Sequence, residues 1–173
     1  MGVKILSGGA VEGLVRALRS EFNQATGFEL EGDFGAVGGM KERVLSGEPV
    51  DVIILTRSIV DDLAAKQFVA PDTVADVGLV ETCIATRSGD PKPPVKSQEE
   101  LRSALLAADA IYLPDPERST GGIHFAGVLC KLGIEDDVRD HMRPFPNGMT
   151  AMAALATSPA KQPIGCTQVT EVR

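Results

Sequence analysis

The sequence predicts an α/β protein built on parallel sheet, and three observations carry that reading. Strand-like and helix-like segments alternate, with two strand-to-helix passages in the first 65 residues. The run from Asp51 to Leu55 is apolar and β-branched, the pattern of a parallel strand buried on both faces. Regular structure then breaks at Ser88-Gly89-Asp90-Pro91-Lys92-Pro93-Pro94, the best boundary or hinge, with a second set of elements beyond it. A chain of 173 residues suffices for one domain or two small lobes.

Each element has its own signal. Residues 3–6 form a short apolar run that stops at Ser7-Gly8-Gly9. Val11, Leu14, Val15, Leu18 and Phe22 recur at helical spacing and predict one apolar helix face, with Gly27 closing it. Residues 28–34 alternate and predict a strand, 35–39 a tight glycine loop, and 40–45 a short helix. The strand at 51–55 is followed by a helix over 59–65, and 77–86 is a further extended run. Beyond the break, 98–107 is helical, with Ser97 as N-cap and Glu100 three residues on. A strand at 110–113, a loop at 114–122, a helix over 123–132 ended by Gly133, a turn at 144–148, a helix over 149–156 and a strand at 162–165 follow, with one more element beginning at 167–172.

Composition excludes several classes of function. The chain has 17 basic and 24 acidic residues, a net charge of −7, which disfavours nucleic acid and anionic membranes as partners. No apolar run is long enough to span a bilayer. Cys83, Cys130 and Cys166 are odd in number and show no metal-ligand spacing, so neither zinc nor a disulfide framework is expected, and no cofactor is implied. Neither a GxGxxG nor a GxxxxGK[ST] stretch occurs, which disfavours nucleotides. The opening residues lack the apolar core of a signal peptide, so the sequence as written predicts a cytoplasmic protein.

The feature with chemical content is a junction that occurs six times: a strand end, small or hydroxyl residues, then a helix start. The six are Ser7-Gly8-Gly9, the stretch from Gly35 through Val37, Gly38 and Gly39, Thr56-Arg57-Ser58, Ser119-Thr120-Gly121-Gly122, Asn147-Gly148 with Thr150, and Cys166-Thr167-Gln168. Helix starts carry N–H groups without intrahelical partners and a partial positive charge. In an open α/β sheet such starts converge at one edge. Together they can hold an anion with few cationic side chains, which reconciles an acidic protein with an anionic ligand. Capping of the helices alone is the competing explanation for the same residues.

At these residues the sequence resembles the periplasmic molybdate-binding protein-like family, the type II solute-binding proteins of ABC transporters. The resemblance rests on VKILSGGA at 3–10, FGAVGGMK at 34–41, GEPVDVIIL at 47–55, PDPERSTGGIH at 114–124, NGMTAM at 147–152 and GCTQV at 165–169. It implies a type II periplasmic-binding-protein-like fold: two Rossmann-like α/β lobes joined by a hinge, with lobe one at 1–80, the crossover at 81–97 and lobe two at 98–173. Family members are typically periplasmic and continue past this endpoint to complete lobe one. The resemblance therefore implies a C-terminally incomplete fold, with exposed sheet edge compensated by homodimerisation or strand exchange.

The resemblance implies a binding protein that clamps a small oxyanion such as molybdate or tungstate, or a small carboxylate, and delivers it to an ABC transporter permease. The candidate ligand-binding residues are Ser7, Gly8, Gly9, Val37, Gly38, Gly39, Thr56, Ser119, Thr120, Gly121, Gly122, His124, Asn147, Thr150, Cys166 and Thr167. Molybdate binders of the family usually carry serines where this chain has Gly8-Gly9 and Ala36-Val37, a departure that suits a carboxylate at least as well. The alternatives are an isomerase for a small polycarboxylate, resembling aconitate isomerase, with His124 as its base, and a cytoplasmic anion sensor. A nucleophilic role for Cys166 lacks an identifiable base.

Overall fold

The computed structural model describes residues 2–172. Its elements, in order, are β1 (Gly2–Gly8), α1 (Glu12–Thr26), β2 (Glu29–Gly35), α2 (Val37–Leu45), β3 (Val52–Ile54), α3 (Arg57–Ala65), β4 (Thr82–Ala85), α4 (Gln98–Ala107), β5 (Ala110–Pro114), α5 (Thr120–Leu132), α6 (Glu135–Val138), β6 (Met142–Phe145), α7 (Gly148–Ala156) and β7 (Pro163–Gln168), with four short 3₁₀ turns among them. The chain divides into two compact units, the first ending at Val80 and the second starting at Glu81.

Unit one is a three-stranded parallel sheet in the order β2-β1-β3. One face packs Leu6, Met40, Val44 and Leu63, from β1, α2 and α3. The other packs Ile5, Val15 and Leu30, joined by Val3, Phe22, Phe34 and Ile54. Neighbouring residues of β1, Ile5 and Leu6, thus serve opposite layers, as the two-residue repeat of a strand requires.

Unit two has a four-stranded sheet in the order β4-β7-β5-β6. β5 runs parallel to β6 and β7, and β4 runs antiparallel to β7. Ile111 and Leu113 of β5 are fully buried among Leu105, Phe125, Leu129, Ile134 and Val138. Against the opposite face, α7 packs Ala151, Met152 and Leu155. Gly165 permits that approach: a Cβ there would lie 2.6 Å from the Met152 methyl and 2.7 Å from a Leu155 methyl. Asp109, ahead of β5, accepts the backbone N–H groups of Lys161 and Gln162 at 2.9 Å, and these bonds hold its carboxyl below the usual range.

Four expectations need correction. The strand at 51–55 is not buried on both faces; β3 lies at the outside of its sheet, pairs only with β1, and leaves Val52 42% exposed. The apolar stripe of α1 does not bury as a unit: Val15 reaches the sheet, whereas Leu14 and Leu18 are 46% and 44% exposed. Val37-Gly38-Gly39 is the first turn of α2 rather than a loop, and Thr120-Gly121-Gly122 is likewise helical. Of the extended run at 77–86, only Thr82–Ala85 is strand, in register with β7, and Glu81 adds one backbone bond ahead of it by accepting the Val169 N–H.

Candidate functional site

Parallel strands end on the same side of their sheet, and this places the candidate residues. In unit one, β1 ends at Ser7-Gly8, aligned with Phe34-Gly35 of β2 and Ile54 of β3. Gly8 sits so close to α2 that a Cβ there would lie 3.0 Å from Val37 Cγ1. Gly8 precedes the 3₁₀ turn Gly9–Val11, Ala36 precedes α2, and Thr56 precedes α3; none of the three helix starts receives a side-chain cap. Gly9, Val37, Gly38, Gly39 and Thr56 therefore gather at one sheet edge with uncapped N–H groups. Ser7 is turned inward: it is fully buried, and its hydroxyl reaches the carbonyls of Gly8 (3.0 Å) and Ile54 (3.2 Å). A hydroxyl has one proton, so Ser7 ties β1 to β3 and holds no donor in reserve for an anion.

In unit two, the ends of β5, β6 and β7 bring together Ser119 to Gly122, Asn147 to Thr150, and Cys166-Thr167. Asp115 builds the approach to α5, since its side chain accepts the N–H groups of Glu117 (2.8 Å) and Arg118 (3.0 Å). Gly122 is required there, because a Cβ would lie 2.1 Å from the Asp115 carbonyl oxygen. Gly121 packs against Pro114 and Gln168. Ser119 is the N-cap residue of α5 and is buried, yet its hydroxyl makes no capping bond. The Thr120 hydroxyl is buried without a hydrogen-bond partner. Buried polar groups are rarely left unpaired, because the lost hydration is uncompensated. The start of α5 is thus built with unused donors.

The start of α7 is different. The Asn147 side chain accepts the Thr150 N–H at 2.9 Å, and the Thr150 hydroxyl donates to the Asn147 carbonyl. Capping accounts for both residues. Thr167 is also engaged, donating its hydroxyl to Glu171 at 2.5 Å. Glu171, 5% exposed, went unnoticed in the sequence; only the strand end that carries Thr167 brings it to the start of α7.

Two candidates do not present their side chains at these strand ends. His124 lies on the exposed side of α5 with Gly127 and Lys131, away from the buried side of Gly121, Phe125 and Leu129. Cys166 points its side chain into the unit-two core, where burial pushes the thiol well above its ordinary value. Cys83 on β4 is also pushed up, first by burial and then by the Glu171 charge. A thiol held protonated is a poor nucleophile. A depression of about 510 Å³ in unit one lies along the middle of β1 and β2, lined by Lys4, Arg19, Glu29, Glu31 and Asp33 among others, and includes no candidate residue. Among the described residues, no helix is long and apolar enough to cross a membrane, and no group of three or more His, Cys, Asp or Glu side chains could hold a metal.

Two units of parallel or mixed sheet flanked by helices, with several helix starts left without a side-chain cap at the strand ends, define a protein of the open α/β class. The chain belongs to the bacterial extracellular solute-binding protein family, which it matches over residues 3–173. The fold is shared with the periplasmic molybdate-binding protein of Azotobacter vinelandii, at 17% identity and a TM-score of 0.82, covering 98% of this chain and 72% of that one. The sulfate-binding protein SubI from Mycobacterium tuberculosis is similar at 18% identity and a TM-score of 0.73, covering 97% and 64%. In sequence the chain is 29% identical over 132 residues to an aconitate isomerase from a Pseudomonas species, covering 72% of this chain and 48% of that protein. The chain thus spans about half the length of that curated relative.

Proposed function

We propose that the protein captures a small oxyanion or small organic carboxylate for uptake by an ABC-type transporter, and that it does so outside the cytoplasm, a reading supported by the extracellular description of its family. Each unit offers donors at its own strand ends. The observation that carries the reading is the start of α5: a buried Ser119 that does not cap, and a buried Thr120 hydroxyl without a partner. The uncapped starts at Gly9, Val37 and Thr56 supply the same chemistry in unit one. Structural relatives described as molybdate- and sulfate-binding support the choice of anion.

The similarity to an aconitate isomerase favours one second reading, chemistry on a polycarboxylate. The exposed position of His124 weighs against the base first assigned to it. Calorimetric titration with molybdate, tungstate, sulfate, citrate and aconitate, followed by NMR for turnover, separates the readings. Binding without turnover is the expected result; turnover of aconitate would replace it with the isomerase, and no binding of any anion would remove both.

A further inference from the structure

Asp115 follows the end of β5 directly and precedes the N-cap residue Ser119 by four positions. One of its carboxylate oxygens accepts two backbone N–H groups, from Glu117 at 2.8 Å and Arg118 at 3.0 Å. Its backbone carbonyl accepts the Ser119 N–H at 3.1 Å. The first turn of α5 rests on that same carbonyl, since a Cβ on Gly122 would lie 2.1 Å from its oxygen. The Ser119 carbonyl in turn accepts the Ile123 N–H at 2.8 Å. One residue thus holds the turn at 116–118, the cap position and the first turn of the helix together.

An Asp or Asn near a helix start ordinarily caps it. Asn147 does so at α7, where it is itself the N-cap residue and takes the Thr150 N–H. Asp115 stands a turn earlier, so its acceptor oxygen is consumed by the N–H groups ahead of α5, and α5 receives no side-chain cap. Ser119 is held buried without capping, and the Thr120 hydroxyl is buried without a partner. Donors fixed before a ligand arrives need no ordering on binding, which strengthens the complex. The geometry asks only for an acceptor oxygen at this place; a negative charge is not needed for it.

We propose that Asp115 is a positioning residue for anion binding: it spends its carboxylate on the turn before α5 and so keeps the donors at Ser119 and Thr120 fixed and open. This rests on the reading that the start of α5 holds an anion, and it names the residue that presents that start. The anion takes the N–H groups of the helix, and those of Glu117 and Arg118 stay with Asp115.

The test is calorimetry at neutral pH with molybdate, sulfate, phosphate and malate, on proteins shown to be folded by circular dichroism and melting. Asp115→Ala weakens binding of the anion that the wild type prefers by about tenfold or more. Asp115→Asn, which keeps the acceptor oxygen and loses the charge, stays within about threefold of the wild type. Amide hydrogen exchange followed by NMR gives a second readout on the wild type itself. Anion slows exchange at Thr120, Gly121 and Gly122 and leaves Glu117 and Arg118 unchanged. Undiminished affinity in a folded Asp115→Ala protein, or an Asp115→Asn protein as weak as the alanine variant, would overturn the proposal. So would an anion that alters exchange at Glu117 and Arg118, because Asp115 would then be a stand-in that the ligand displaces. The exchange result decides the matter by itself if the alanine variant does not fold. Failure of all four anions to bind the wild type removes the anion-binding reading itself, an outcome separate from these.

Discussion

Helices α4 and α5 both follow a serine, and their first turns have opposite fates. At α4, Ser97 accepts the Glu100 N–H at 3.1 Å while the Glu100 carboxylate accepts the Ser97 N–H at 3.2 Å, a complete capping box on an exposed turn. At α5, Ser119 is buried at the strand ends, forms no cap, and is followed by a buried hydroxyl with no partner. A serine hydroxyl was available at both places, but the third helical residue is Glu100 at α4 and Gly122 at α5. α4 closes its own N-terminus and α5 leaves its own open, and a place at the end of a parallel strand does not alone decide which, since α7 follows β6 and is capped by Asn147. The helix starts divide junction by junction: α4 and α7 are capped, and α5, α2, α3 and the turn at Gly9 receive no side-chain cap.

The contrast can be broken deliberately. Gly122→Ala has the largest expected effect, since the new methyl meets the Asp115 carbonyl; denaturant unfolding should show a loss of about 3 kcal/mol together with loss of anion binding. Thr120→Val should separate stability from function. Replacing an unpaired buried hydroxyl by a methyl raises stability by about 1 kcal/mol, while anion affinity measured by calorimetry falls about tenfold. Ser97→Ala should do the reverse, costing about 1 kcal/mol of stability with affinity unchanged. A loss of affinity in Ser97→Ala would erase the distinction between the two helix starts.

The smallest effect concerns acid. The Asp109 carboxyl is lowered by the Lys161 and Gln162 N–H groups, so its contribution is present above the ordinary aspartate range and is lost as pH falls through the lowered value. Asp109→Asn should therefore flatten the acid limb of the stability profile and leave affinity at neutral pH unchanged, as melting at several pH values and calorimetry will show.

Local rules made much of this legible. The Ser97 and Glu100 spacing gave a real capping box, and Gly27 and Gly133 end α1 and α5 with positive φ, where glycine is unstrained. The strand-to-helix junctions were readable because small residues and hydroxyls cluster there. What escaped depended on partners distant in the chain. Nothing local in residues 51–55 says that β3 pairs on one side only. Two glycines at 38–39 disguised the first turn of α2 as a loop, against their low helix propensity. The inward turn of Ser7 depends on the Ile54 carbonyl, 47 positions away. Glu171 read as an ordinary acidic residue, because nothing local shows that the start of α7, at Gly148, packs against it.

Amide NMR during an anion titration tests the central claim most directly, because it reports each N–H separately. Malate, phosphate, sulfate and molybdate serve as probes. The account predicts progressive shifts at Thr120, Gly121 and Gly122, with Gly9, Val37, Gly38 and Gly39 following, and still signals at Glu99 and Glu100 of α4. Shifts confined to α4, or saturable binding that leaves the amides at the start of α5 unmoved, would contradict it.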